Sequence, residues 1–367
     1  MNTRDLSDAV RIVIKIGTNC LTKGDSIDDG YVADIAAQIS RVKADDRQIL
    51  IVSSGAIGMG ARELGFSRRI TDIKMRQACA AVGQPLLMHR YRQSFSAYGL
   101  TVAQVLLTSD VLADRISYLN LRNAVDTLLD LGVIPIFNEN DSVSTAEIGS
   151  AFGDNDSLSA YVASKTDADL LIMLSDFGLF DRNPTLHPDA KPIHTVERIT
   201  DEILAAAGTE GSTFGTGGMV TKLRAVEIAG KAGCRTVIVN GREERVIERI
   251  LTGERLGTLF LTSAKLSARR RWILGSAPRG RIYIDDGAMH AIRARNSLLP
   301  KGVLRVEGVF RAGDVVLVND TVKMVSSFNS TELESILGRH SSEIERILGG
   351  GHKDVIARPE DMVFIDE

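Results

Sequence analysis

The sequence predicts an α/β protein with a second, smaller domain: a mostly parallel sheet covered on both faces by helices, followed by a mixed-β region. Three observations carry this. Short β-branched runs alternate with longer helical patterns over the first two-thirds of the chain. The residues of greatest chemical interest fall just after those runs, at the carboxyl ends of strands, where such sheets gather their ligands. Beyond about Leu259 the texture changes to shorter strands, some of them separated by turn glycines.

Taken in order, Ile12-Val13-Ile14 opens a strand that leads into Lys15-Ile16-Gly17-Thr18. A helix follows, with Val32, Ile35, Ile39 and Val42 at helical spacing. Residues 48–52 read as a buried strand running into Ser53-Ser54-Gly55-Ala56. Further strands are expected at 102–107, 133–137, 170–174 and 236–239, with helices at 74–98, 116–131, 157–165 and 222–232. Gly132 and Gly233 stand where helices end. The expected division is a large α/β domain over 1–260, a basic linker over 261–277 that contains Arg269-Arg270-Arg271, a mixed-β domain over 278–356 and a tail over 357–367. Strands are expected at 281–284, 303–306, 315–318 and 323–325, with short helices at 330–337 and 341–348.

Composition excludes several functions. With 367 residues, 44% hydrophobic and 25% charged, the chain can bury a sizeable core, and a net charge of −3 gives no reason to expect nucleic acid or an anionic membrane as partner. Cys20, Cys79 and Cys234 are too few and too far apart for a disulfide framework. The six histidines form no zinc-binding pattern. No apolar stretch approaches the ~20 residues that span a bilayer, and no leader is visible at the start. The expected setting is cytoplasmic.

Five segments can carry chemistry. Gly215-Thr216-Gly217-Gly218-Met219-Val220-Thr221-Lys222 combines close backbone approach with a lysine at a helix start, which suits phosphate; its spacing is not that of a P-loop. Read alone, it is also compatible with a flexible glycine-rich loop. Lys15 either marks a strand exit or faces the strand-end crevice, and with Lys222 it would form a two-lysine clamp for a transferring phosphoryl group. Ser53-Ser54-Gly55-Ala56-Ile57-Gly58-Met59-Gly60 permits close approach to an anion. Asn138-Glu139-Asn140-Asp141 and Gly153-Asp154-Asn155-Asp156 are either turns and caps or a set that holds an ammonium group, the waters of Mg²⁺ or the lysines themselves. Ser175-Asp176 follows a strand as an ordinary turn.

In their order and spacing, Ile14-Lys15-Ile16-Gly17-Thr18, Ile51-Val52-Ser53-Ser54-Gly55-Ala56-Ile57, Asn138-Glu139-Asn140-Asp141, Gly153 to Ala160, and Gly215 to Met219 with Lys222 resemble the amino acid kinase family. The resemblance is to those members that phosphorylate the side-chain carboxylate of L-glutamate at the first step of proline biosynthesis, and it covers essentially the whole chain. Ser297-Leu298-Leu299-Pro300-Lys301-Gly302 and Gly308 to Asp314 resemble the PUA domain appended to many of them. The resemblance implies an αβα sandwich, ATP and Mg²⁺ as cofactors, and no residue assigned as a direct metal ligand. It implies that Lys15 and Lys222 contact the ATP phosphates, with Asp156 orienting both lysines and Asp154 close enough to assist. Ser54, Asp141 and Asn155 match glutamate-binding positions. Ser175, Asp176, Thr216, Gly217, Gly218, Met219, Val220, Thr221 and Lys222 match ATP-binding positions. Two residues depart from the pattern: Ser175 replaces a threonine and keeps the hydroxyl, while Val220 stands where serine is frequent and offers no side-chain contact to phosphate.

A homo-oligomer, inhibition by proline and hand-off of the acyl phosphate to glutamyl-phosphate reductase are expected on the same ground. The acceptor carboxylate, with a reference pKa of about 4.3, is already ionised at neutral pH, so no general base is needed. Related kinases acting on N-acetylglutamate, aspartate or carbamate are the nearest alternatives. RNA binding by the C-terminal domain is disfavoured, because residues 270–367 hold 14 Lys/Arg against 14 Asp/Glu.

Overall fold

In chain order the strands of the first unit are β1 (Arg11–Ile16), β2 (Thr22–Lys23), β3 (Ser26–Ile27), β4 (Gln48–Val52), β5 (Val102–Leu107), β6 (Ile134–Glu139), β7 (Leu170–Ser175), β8 (Thr195–Val196), β9 (Arg235–Asn240) and β10 (Thr258–Phe260). Eight of them form one sheet in the order β5-β6-β4-β1-β7-β9-β10-β8, while β2 and β3 make a separate small hairpin. All neighbours in the large sheet run parallel except β9 and β10. The computed structural model describes residues 4–23, 26–66, 68, 70–108, 111–112, 114–143, 155–182, 184, 186–207, 218–262, 267–340, 343–349 and 354–365. The chain divides into two compact units, Met1–Lys265 and Leu266–Glu367.

The two-residue period of a strand decides which side chains meet. Along β1, Ile12, Ile14 and Ile16 enter a core layer with Ile35, Ile39, Leu87 and Tyr91. Val13 enters the opposite layer, with Leu158, Val162, Leu223 and Val226. Lys15 shares the parity of Val13, so it faces the layer built by the helices Asn155–Lys165 and Met219–Lys231. β1 pairs with β4 on one side and β7 on the other. The chain thus passes first to one flank of β1 and later to the other, which opens a crevice at the carboxyl end of β1.

Some helices of this unit are closed at the start by a side chain and others are not. Asp28, Asp72, Asp114 and Thr200 each accept a backbone N–H with their side chains and so cap the helices Asp29–Lys43, Ile73–Ser96, Arg115–Asp130 and Asp201–Ala206. The helices Ala56–Glu63 and Met219–Lys231 start instead after Gly55 and Gly218, with no side-chain cap. Their first amides are left to other partners. Helix Ala56–Glu63 crosses Ile73–Ser96 with backbone nearly touching backbone. A Cβ on Gly60 would lie 1.8 Å from the Cys79 carbonyl oxygen, and one on Gly83 would lie 1.8 Å from that of Ala56. Gly132 and Gly233, at the ends of their helices, have φ of 74° and 75°.

The second unit holds β11 (Arg281–Ile284), β12 (Val303–Glu307), β13 (Val315–Val318), β14 (Val322–Val325) and β15 (Met362–Phe364), in the order β12-β11-β13-β14-β15. Parallel and antiparallel pairs are mixed. Its core gathers Ile282, Val316, Val318, Met324, Phe328, Leu333 and Ile356.

Two expectations at its borders need correction. Residues 268–275, expected as linker, form the helix Ala268–Gly275, which buries Trp272 and Ile273 and pairs Arg269 with Asp361. Residues 362–364, expected as tail, form β15, whose Val363 is fully buried. Three arginines in a row hid the apolar pair behind them, and three residues are too few for strand periodicity to show. The helices Asp201–Ala206, Val246–Leu251 and Asp286–Arg293, with β8 and β10, were not anticipated either.

Candidate active site

The two lysines meet. Lys15 Nζ lies 2.5 Å from Asp156 Oδ1, and Lys222 Nζ lies 3.1 Å from Asp156 Oδ2. The chain separates them by 207 positions, but strand parity and two helix starts bring them to one carboxylate. Lys15 stands one residue before the end of β1, Asp156 in the first turn of Asn155–Lys165, and Lys222 in the first turn of Met219–Lys231. All three are buried, with exposures of 7% for Lys15, 1% for Asp156 and 8% for Lys222. Thr221 Oγ1 also donates to Asp156 Oδ2 at 3.3 Å. Burial alone would raise the Asp156 pKa; the charges and hydrogen bonds of Lys15 and Lys222 outweigh it and hold the carboxyl below its ordinary value. The group is an anion flanked by two cations, so it carries net positive charge at a strand-end crevice.

Beside it lies a neutral cluster. Asn155 Nδ2 lies 2.8 Å from the Ser53 carbonyl oxygen, 2.8 Å from Ser54 Oγ and 3.1 Å from Asn138 Oδ1. Ser53 Oγ and Tyr91 OH share a hydrogen bond of 2.9 Å. Gly55, with φ of 96°, turns the chain from β4 into helix Ala56–Glu63 and sets Ser54 at the crevice. Asp141 sits in the turn after β6, half-buried. Its pKa is raised to about 6, first by burial and then by the Glu139 charge, with Arg76 opposing.

Ser175 ends β7, and its carbonyl oxygen accepts from Gly241 N at 2.8 Å and from Cys20 Sγ at 3.3 Å. Asp176 Oδ2 accepts from Asn19 Nδ2 at 2.8 Å, joining the turn after β7 to the short helix after β1. Arg242 reinforces that helix. It donates to the carbonyls of Asn19, Cys20 and Thr22 and pairs with Asp28.

The structure therefore gathers Lys15, Asp156, Thr221 and Lys222 into one group and Ser54 and Asn155 into an adjoining one; residues 155 and 156 link the two. Gly218, Met219 and Val220 lie at the helix start just ahead of Thr221. Asp154, Gly215, Thr216 and Gly217 lie outside the described residues. The sequence reading missed Tyr91, Gln84, Asn19 and Arg242. Gln84 had a readable signal: with Ala80, Gly83, Leu87 and Tyr91 it sits on one helical stripe, a polar residue at a core position. Among the described residues no group of three or more His, Cys, Asp or Glu side chains could hold a metal ion.

Two ammonium groups on one carboxylate beside an uncapped helix start make an arrangement chemically suited to phosphate. The chain belongs to the amino acid kinase family, whose model matches residues 10–240, and the PUA domain model matches residues 280–348. It is 47% identical to the glutamate 5-kinase of Methanosarcina barkeri, with 98% of each chain covered. It is 45% identical to the glutamate 5-kinase of Geobacter sulfurreducens, with all of both chains covered. The carbamate kinase of Giardia lamblia bound to AMP-PNP is 18% identical, with a TM-score of 0.49 over 70% of this chain and 100% of that one.

Proposed function

We propose that the enzyme transfers the γ-phosphoryl group of ATP to the side-chain carboxylate of L-glutamate, giving L-glutamyl 5-phosphate and ADP. A carboxylate oxygen forms the new bond to the γ-phosphorus as the bond to the ADP oxygen breaks. Most of the work is electrostatic, because an anion must approach a polyanion. The observation that carries the reading is the seating of Lys15 and Lys222 on the two oxygens of Asp156. Held there and buried, both ammonium groups are positioned in advance for the phosphoryl oxygens. The amides at the start of Met219–Lys231 add partial positive charge from the same direction.

Lys15, Ser175, Asp176, and the segment Thr216, Gly217, Gly218, Met219, Val220, Thr221 and Lys222 would hold ATP. Ser54, Asp141 and Asn155 would hold glutamate, with the Asp141 carboxylate opposite the substrate ammonium. Mg²⁺ would supply further neutralisation of phosphate charge. Both Asp156 oxygens are already engaged by lysines, which favours a metal carried on phosphate oxygens and water.

The relatives named glutamate 5-kinase support free glutamate as the acceptor over N-acetylglutamate, aspartate or carbamate. ADP release measured with each of the four acceptors, ATP and Mg²⁺ tests this. Glutamate should be the best substrate, and turnover of N-acetylglutamate without glutamate would overturn the choice. Placement at the first step of proline biosynthesis, feedback by proline, a cytoplasmic homo-oligomer and hand-off of the acyl phosphate to glutamyl-phosphate reductase belong to the same reading. Proline titrated at sub-saturating glutamate should lower ADP formation. No helix among the described residues is long and apolar enough to cross a membrane.

A further inference from the structure

Behind the acceptor end of the site, a line of side-chain amides runs outward from Asn155 through Asn138, Gln84 and Gln104, to which the proposed reaction gives no role. Asn155 Nδ2 lies within hydrogen-bond distance of Asn138 Oδ1 at 3.1 Å. Asn138 Nδ2 donates to Gln84 Oε1 at 2.9 Å, and Gln84 Nε2 donates to Gln104 Oε1 at 3.1 Å. Asn138 is 1% exposed and Gln84 8% exposed, while Gln104 stands at the surface. Each amide gives its NH₂ to the next one outward, so the dipoles line up head to tail, an arrangement in which successive bonds strengthen one another.

Backbone groups fix the direction. Asn138 Oδ1 accepts from the Glu139 backbone N–H at 3.0 Å, and Asn155 Nδ2 donates to the Ser53 backbone carbonyl at 2.8 Å. Neither amide can be reversed without setting donor against donor or acceptor against acceptor. The Asn138 NH₂ must then point toward residue 84, and an acceptor is required there. Burial makes the requirement strict, because an unanswered buried NH₂ is costly. At the other end, with the Asn155 NH₂ committed to the protein, Oδ1 is the pole of that amide left over for a ligand, and it offers an acceptor.

We propose that Gln84, backed by Gln104, is a positioning residue for the acceptor substrate. It supplies the buried acceptor that holds Asn138, and through Asn138 it holds Asn155 with Oδ1 available to a donor such as a substrate ammonium. This rests on the reading of Ser54, Asp141 and Asn155 as the glutamate end of the site. It accounts for a polar residue on an otherwise apolar stripe of Ile73–Ser96. Unlike the lysine cluster, the relay carries no formal charge, so it tunes recognition rather than the transfer step.

The test separates KM for the two substrates. Gln84→Met keeps the volume and removes the acceptor; KM for glutamate should rise about five- to tenfold, the effect of roughly one hydrogen bond, with KM for ATP within about twofold. Gln84→Glu keeps an oxygen toward Asn138 and should restore KM for glutamate to near the wild-type value. Gln104→Leu, at the exposed end, should show a smaller rise in the same parameter, and it serves if Gln84→Met fails to fold. Unchanged KM for glutamate in Gln84→Met, or an equal rise in both KM values with no rescue by Gln84→Glu, overturns the relay. Wild-type enzyme titrated in parallel keeps the two ideas apart: absence of saturable glutamate turnover there refutes the underlying reading instead.

Discussion

Asn155 and Asp156 are neighbours in the chain, yet they serve opposite electrical regimes. Asp156 gathers two full positive charges on its two oxygens, while Asn155 joins a line of neutral amides. A transferring phosphoryl carries spread negative charge, and ammonium groups stabilise it from any direction within reach. An amino acid presents donors and acceptors in a fixed pattern, which oriented dipoles can read. The same division appears in the helix starts. The four helices Asp29–Lys43, Ile73–Ser96, Arg115–Asp130 and Asp201–Ala206 close their ends with Asp or Thr, whereas helices Ala56–Glu63 and Met219–Lys231 begin at glycine and leave their amides open.

The contrast can be broken at the charged end with the largest effect. Asp156→Ala leaves two buried ammonium groups facing each other, and a broken buried pair costs roughly 3–5 kcal/mol. Urea unfolding should show that loss together with turnover near background; a fully stable, active variant would mean that the lysines do not depend on Asp156. Lys222→Ala should lower kcat by about 10²–10³ with the fold intact by circular dichroism, and Lys15→Ala should behave alike. Wild-type turnover in either variant would remove the clamp from the mechanism.

Smaller effects sharpen the neutral end. Gly83→Ala would put a Cβ 1.8 Å from the Ala56 carbonyl oxygen, so the two helices must part. A cost of about 1–3 kcal/mol is expected, with a raised KM for glutamate because only Gly55 separates helix Ala56–Glu63 from Ser54. An unchanged melting temperature would show that the crossing can relax. The smallest effect is titration. With the Asp141 pKa raised to about 6, the carboxylate is ionised above that pH and neutral below it. KM for glutamate should therefore climb as pH falls below 6, up to about tenfold per pH unit, because protonation removes the charge opposite the substrate ammonium. Asp141→Asn should have a high KM that no longer varies over this range, and a pH-dependent KM persisting in that variant would assign the effect elsewhere.

Much of this was legible in the chain. The strands β1, β4, β5, β6, β7 and β9 stand where apolar runs predicted them; all but the edge strand β5 are largely buried, and buried parallel strands are short and uniform in character. Lys15 and Lys222 were readable since each closes a run of one kind and opens another. The amide line was not. Asn138, Gln84 and Gln104 lie on three different elements, and only tertiary packing aligns them. The helix Ala268–Gly275 escaped notice because Arg269, Arg270 and Arg271 dominate its composition, while its stability rests on Trp272 and Ile273 behind them.

The near-contact of Gly60 with Gly83 has a mechanical consequence. Where two helices are separated by side chains, rotamer changes let one slide or roll against the other. Here bare backbone bears on bare backbone, so the short helix and the long one are geared together. Any displacement of the short helix would carry the long one with it, with the left-handed joint at Gly55 as the natural pivot. If Ser54 lines the acceptor site as proposed, making room for a bulkier acceptor would accordingly call for trimming side chains around it rather than loosening the helices beneath.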